Sequence, residues 1–204
     1  MQTRAIKTRE RILCEASRLF ALKGFHDTKL DEVLKATRVT SGAFFHHFSN
    51  KDALGFAVID RHMEQRRLEL DRIESEMAPA RSDDPLQQVF RRLDAVREMV
   101  AHRKLKKGGC VIGNLSMTLA DTHPAFRKRL AECFDEMASE FTPHLDEANR
   151  QRRKKLRVDT AELARYIVTI IEGALMLSRT QRSQPLLDQH FEYLKEHLRH
   201  MLSE

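Results

Sequence analysis

An all-α fold is what this sequence predicts. Glycine and proline interrupt the 204 residues only seven and five times. Helix-forming Leu, Ala, Glu, Lys and Arg dominate, and apolar residues recur at spacings of three and four with neither strand-like alternation nor an internal repeat. The length suits one domain, or a small one joined to a medium one, and about nine helices are expected from the periodicity.

The elements follow in order along the chain. Ile12, Ala16, Leu19 and Phe20 mark one face of a first helix running from Thr3, and Lys23-Gly24 is its stop signal. Thr28 is placed to cap a short second helix with Leu30, Val33 and Leu34, whose first turn holds Asp31 and Glu32 where the helix dipole favours acidic groups. That helix ends near Thr37-Arg38. Thr40-Ser41 caps a third, carrying Ala43, Phe44, Phe45 and Phe48, and Ser49 to Asp52 closes it and caps a fourth. Two short helices joined by a tight turn make a helix-turn-helix.

A long helix runs from Ala53 to about Met77, where Ala78-Pro79 and the polar stretch Arg81 to Asp84 break it. Pro85 restarts a helix at its permitted first turn, with Leu86, Val89, Phe90, Leu93, Val96 and Val100 on it. After Lys106-Lys107-Gly108-Gly109 come a helix from Cys110 to Ala120 and another opened by Thr122 and Pro124, which Pro143 should kink or end. Tyr166 to Leu177 is apolar at nine of twelve positions, which predicts a helix buried on nearly all sides. The last helix, from near Pro185, sets Leu187, Phe191, Leu194, Leu198 and Met201 four and three residues apart as a seam.

Composition narrows the classes of function. No run of about 18 apolar residues is present, so no membrane partner is expected, and the basic N-terminus lacks the apolar stretch of a secretory signal, which makes a cytoplasmic setting the expectation. Cys14, Cys110 and Cys133 are odd in number and widely spaced, so neither a disulfide framework nor a cysteine zinc site is encoded; Cys14 and Cys133 fall on apolar faces and are expected in the core. The net charge of +6 points to an anionic partner. Residues 1–54 hold 10 basic and 6 acidic side chains, the rest 26 and 24, so most of the excess sits in the first quarter. The later run from Arg150 to Arg157 has six basic residues and is expected to be a solvated interhelical loop.

Catalytic constellations are missing from the sequence. There is no GxSxG, no HExxH and no Gly-rich phosphate or dinucleotide loop. Adjacent His46 and His47 lie about 100° apart on a helix, so they do not chelate a metal. No catalytic residue, metal or cofactor is assigned, and an enzyme is disfavoured.

The helix-turn-helix carries the signal instead. Its second helix opens Thr40, Ser41, Gly42, Ala43, small residues that let a backbone approach a major groove; the hydroxyls can donate to phosphates or bases and the Ala43 methyl can meet a thymine methyl. Phe44 and Phe48 should face inward, leaving Phe45 and His46 nearer the groove.

From Thr8 to Leu54 the chain resembles the DNA-binding domain of the TetR/AcrR family of bacterial regulators, in its helix, Gly24-Phe25, threonine cap, short helix, Thr40-Ser41-Gly42 opening, aromatic pair and Phe48-x-x-Lys51-x-x-Leu54 ending. The resemblance implies that Thr28 contacts a phosphate, that Thr40, Ser41, Gly42 and Ala43 open the recognition helix, that Phe45 and His46 lie at the DNA, and that Lys51 binds a phosphate at the start of helix four. Phe45 stands where the family usually has Tyr, so a phenolic phosphate contact should be missing, and Thr37-Arg38 replaces the common Ala-Gly turn.

The same resemblance implies a DNA-binding domain over residues 1–50 and a helical ligand-binding and dimerisation domain over 51–204. The expected partners are double-stranded operator DNA, a small-molecule effector and a second copy of the chain. One helix-turn-helix makes too few base contacts for useful specificity, and two of them on successive major grooves read a near-palindrome. Ile167, Ile171 and Leu175, with Gly173 permitting close approach, and Leu187, Phe191, Leu194 and Leu198 are the expected homodimer interface. Phe90, Met99, Met117 and Phe134 are the expected effector-site residues, being large and adaptable. Cys110 joins them, since a Gly-Cys helix start resembles one subgroup of the family, and basic neighbours with the helix dipole favour thiolate. The reading is a regulator, more specifically a repressor released from DNA by a small molecule; a ligand-binding or scaffold protein with a structural helix-turn-helix, or a helical enzyme, are its alternatives.

Overall fold

The computed structural model describes residues 2–77, 84–102, 109–151 and 159–202. Among them are ten helices and no strand. They are α1 (Gln2–Lys23), α2 (Leu30–Thr37), α3 (Ser41–Phe45), α4 (Lys51–Glu76), α5 (Pro85–His102), α6 (Val111–Leu119), α7 (Pro124–Ser139), α8 (Thr142–Gln151), α9 (Thr160–Gln181) and α10 (Gln184–Leu202). The all-α prediction holds. The additional helix is α8: Pro143 stands in its first turn, where a missing N–H costs no hydrogen bond, so this proline begins a helix as well as ending one. Most of the basic run after Arg150, and Lys106, Lys107 and Gly108, lie outside the described residues.

The chain packs as two units, residues 1–66 with 107–131 and residues 67–106 with 132–204. In the first unit Ile12, Leu13, Ala16, Leu19 and Phe20 of α1 are buried, together with Phe25, Phe44, Phe48 and Leu54. Gly24, at φ +83, accepts the left-handed turn that ends α1, and its N–H donates to Phe20 O at 2.9 Å. Phe126, from the start of α7, belongs to the same core: it stacks on Phe56 at 4.2 Å between centroids and tilts against Phe25 at 5.1 Å. Cys14, expected in the core, is exposed on α1, because only the Ile12/Ala16/Leu19 side of that helix is covered; Cys133 is buried.

In the second unit α10 packs on α9 and α5, and α8 on α5 and α9. Buried Arg92 pairs with Glu74 at 2.9 Å and with Glu140 at 3.2 Å, and buried Lys195 with Asp94 at 2.6 Å, so both cations enter the interior with carboxylate partners. Helix α9 departs from its expectation. Leu163, Ala164, Ile167, Val168, Ile171 and Ala174 are buried, but Tyr166, Met176 and Leu177 are 38%, 61% and 42% exposed. Within one chain only one side of this apolar helix is covered.

Candidate nucleic-acid interface

The local sequence sets the geometry of the helix-turn-helix. Lys29, not Thr28, is the residue before α2, and its N–H donates to Glu32 Oε2 at 3.0 Å. Thr28 is fully buried and its hydroxyl donates to Gly24 O at 2.8 Å, so its side chain does not cap α2; Glu32, reaching back from the first turn, accepts from the Lys29 N–H instead. Thr37 is buried likewise, donating to Val33 O at 2.7 Å. Helix α2 ends on Arg38, held at φ 52 and ψ 38, a left-handed backbone that glycine adopts far more readily. Thr40 then caps α3, its Oγ1 accepting from Ala43 N at 3.3 Å.

This places Thr40, Ser41, Gly42 and Ala43 on the surface, with nothing within 4 Å of where a Gly42 Cβ would stand. Phe44 and Phe48 are buried beneath them, and Phe45 is 53% exposed with its ring edge-on to Phe44 at 5.3 Å. His46 is exposed, and burial with neighbouring His46 and Arg9 pushes the pKa of His47 down. The outward face of α3 therefore carries an apolar ring, an imidazole, two hydroxyls and a bare glycine, a set able to meet base edges. Asn50 caps α4, its Oδ1 accepting from Ala53 N at 2.7 Å. Lys51, next in line, is half-buried: its Nζ donates to His26 O at 3.2 Å and lies 4.5 Å from the Phe25 ring centroid. Burial lowers its pKa, against the pull of Asp52 and Asp27.

Four further cations come together beside α3. Arg4, Lys7 and Arg11 of α1 and Arg38 of the turn line a cleft of about 400 Å³ that Thr40 and Ala43 complete. The spacing of Arg4, Lys7 and Arg11, three and four residues apart, makes this face legible in the sequence; that Arg38 closes it needs the turn geometry.

The residues expected at an effector site are divided between the two units: Phe90, Met99 and Phe134 belong to the second, Cys110 and Met117 to the first. Phe90 and Met99 are buried in the second unit, with the Arg199 guanidinium 4.9 Å from the Phe90 ring centroid. Phe134 lines an open groove of about 380 Å³ with Asp135, Arg165, Val168, Thr169 and Glu172. Met117 is 83% exposed on α6 and belongs to the first unit, because the apolar side of that short helix is taken by Val111, Ile112, Leu115 and Leu119. Cys110 stands at the N-terminus of α6, half-buried, its Sγ accepting from Gly113 N at 3.4 Å.

Of the seven expected interface residues, Ile167, Ile171, Leu187, Phe191, Leu194 and Leu198 are buried within the single chain, where they form the core between α9, α10 and their neighbours. Leu175 is partly covered. The apolar groups that α9 and α10 leave exposed are Tyr166, Met176, Leu177 and Tyr193, and nothing lies within 4 Å of a Cβ placed on Gly173.

Known proteins share this arrangement. Residues 12–58 match the model of the bacterial regulatory proteins of the tetR family, and residues 85–194 match the tetracyclin repressor-like C-terminal domain. An uncharacterized HTH-type transcriptional regulator of the lacX 3′ region of Lactococcus lactis is 28% identical over 92% of this chain and 91% of its own. The transcriptional repressor DhaR of a Mycobacterium species is 25% identical over 89% and 87%. The crystal structure of a TetR regulator from Chloroflexus aurantiacus superposes with a TM-score of 0.82 at 26% identity, over 97% of this chain and 96% of that one. With its helix-turn-helix and its C-terminal domain both matched, the chain belongs to the TetR family of transcriptional regulators.

Proposed function

We propose that the protein is a homodimeric repressor that binds a near-palindromic operator through α3 and releases it when a small molecule occupies the second unit. The observation that carries this reading is the exposed, unobstructed opening of α3 on a rigid aromatic base, beside a cleft lined by four cations. Thr40, Ser41, Gly42, Ala43, Phe45 and His46 face the DNA, and Lys51 binds a phosphate at its rim. Thr28 serves the interface by holding the loop before α2, with exposed Lys29 offering the charge there.

Two chains join through the side of α9 and α10 that one chain leaves open, where Tyr166, Gly173, Met176, Leu177 and Tyr193 supply apolar surface and room for close approach. An effector weakens DNA binding only by preferring a conformation in which the recognition helices are wrongly spaced, and a coupling of about 1–3 kcal/mol lowers operator affinity roughly 5- to 150-fold. Helix α4 runs from Lys51, next to the recognition helix, into the second unit and is the covalent route for that coupling.

The test is an anisotropy titration of a labelled duplex taken from DNA upstream of the protein's own gene against an unrelated duplex. Tight, salt-dependent preference for the first supports a regulator. Equal indifference to both, with dimerisation retained, favours a scaffold whose helix-turn-helix is structural.

A further inference from the structure

We propose that Arg4, Lys7, Arg11 and Arg38 form a clamp for the DNA sugar-phosphate backbone, separate from the recognition helix, in which Arg38 is the fixed post. The proposal rests on the DNA-binding reading above.

Among the described residues, the cleft gathers four cations without a carboxylate in its lining. All four are exposed, and none is in an ion pair among the described residues. Elsewhere in the same unit Arg18 pairs with Glu15, Lys23 with Glu32, Arg61 with Glu10 and Arg129 with Asp60. Four like charges around one space repel one another, and an anion in the space relieves that repulsion. Among the described residues the lining has no aromatic side chain to hold a base, so its chemistry selects phosphate oxygens over a nucleoside.

Arg38 adds a backbone argument. It ends α2 in the left-handed region, at a position where glycine would meet no conformational penalty. Arg182 ends α9 in the same conformation, so left-handed backbone alone assigns nothing. What sets Arg38 apart is its place, lining the same cleft as Arg4, Lys7 and Arg11 with Thr40 at the opening of α3. The tight turn, tied by Arg38 N to Lys35 O at 3.2 Å and Val39 N to Leu34 O at 3.2 Å, fixes the base of the arginine side chain relative to α3. A phosphate held there sets how α3 enters the groove; it carries no sequence information.

Two labelled duplexes, one from upstream of the gene and one unrelated, are titrated by anisotropy over a series of NaCl concentrations. Arg38→Gly and Arg11→Ala are each expected to lower the slope of log affinity against log salt by about one unit per bound protomer, on both duplexes alike. Arg38→Lys is expected to keep the slope. Arg38→Gly is also expected to melt no lower than the unsubstituted protein, which separates lost contact from lost fold. Unchanged affinity and slope in both Arg38→Gly and Arg11→Ala, on a duplex that the unsubstituted protein binds, overturns the clamp and leaves α3 as the reader. Binding of inorganic pyrophosphate that Arg38→Gly abolishes, without any change in salt slope, also overturns it by assigning the cleft to a free phosphate. If the unsubstituted protein binds neither duplex, the DNA-binding reading fails and the clamp fails with it.

Discussion

A Cβ on Gly55 would come within 2.7 Å of Phe126 Cζ, and within 2.8 Å of Phe25 Cε2. Gly55 lies on α4 just past Lys51, Phe126 on the first turn of α7, and Phe25 in the loop between α1 and α2. A bare backbone at position 55 thus lets α7 press against the helix that follows the DNA-reading segment. Gly55→Ala should push both rings aside at a cost of about 1–3 kcal/mol, even though alanine is the better helix former. Urea unfolding measures it; an unchanged or raised midpoint would show that the rings yield freely.

Lys51 has one bond to His26 O and a ring contact with Phe25, and its remaining donors are open to a phosphate. Lys51→Ala should weaken binding to all duplexes and lower the salt slope by about one unit per protomer. Substitutions at Ser41 and His46 should instead change which bases are preferred, by about 1–3 kcal/mol at one position of the half-site. Titrations on a set of half-site variants separate the two behaviours. An unaltered slope in Lys51→Ala moves the phosphate contact off α4.

The exposed side of α9 gives the assembly prediction. Met176 is 61% exposed and Leu198 fully buried in the single chain. Met176→Asp should therefore yield folded monomers, by sedimentation and circular dichroism, with operator binding lost. Leu198→Asp should unfold the second unit outright, because an unpaired charge in a packed core costs several kcal/mol. A stable dimer of Met176→Asp would place the interface elsewhere.

His144 gives a pH prediction. Burial is the main cause holding its pKa below the ordinary value of about 6.5, with Glu74 opposing the shift and Arg92 adding to it. The unfolded chain then binds the proton more readily than the folded one, so stability rises with pH in the window below about 6.5. The contribution is complete above that value and is lost as pH falls through the lowered folded pKa. His144→Gln should lose less of its urea midpoint than the unsubstituted protein on going from neutral to mildly acidic pH. Parallel losses would assign the acid sensitivity to other groups, the carboxylates or His47.

The sequence made the helices legible wherever an apolar face was interrupted by a strong stop: Gly24, Pro85 and Pro124 mark boundaries that the structure shows within a residue or two. It misled at Thr28 and Cys14, where residue type alone does not say which way a side chain turns; Thr28 points inward to Gly24 O and Cys14 outward. Met117 was beyond its reach, since nothing local separates a methionine on the exposed side of α6 from one lining a core. The seam of α10 was visible as a pattern, but a pattern does not state whether its partner is α9 and α5 of the same chain or another copy. The association of the start of α7 with the helix-turn-helix depends on Phe25, Phe56 and Phe126 meeting across long stretches of sequence, which periodicity does not encode.

Bound to its operator, the proposed homodimer sets two α3 helices into successive major grooves. Hydroxyl-radical footprinting on DNA upstream of the gene tests it most directly. Two protected patches related by two-fold symmetry are expected, centred roughly 34–36 Å apart, with one chain per patch and both patches lost together in Met176→Asp. A single patch occupied by one chain, or protection that survives in the monomeric variant, would contradict it.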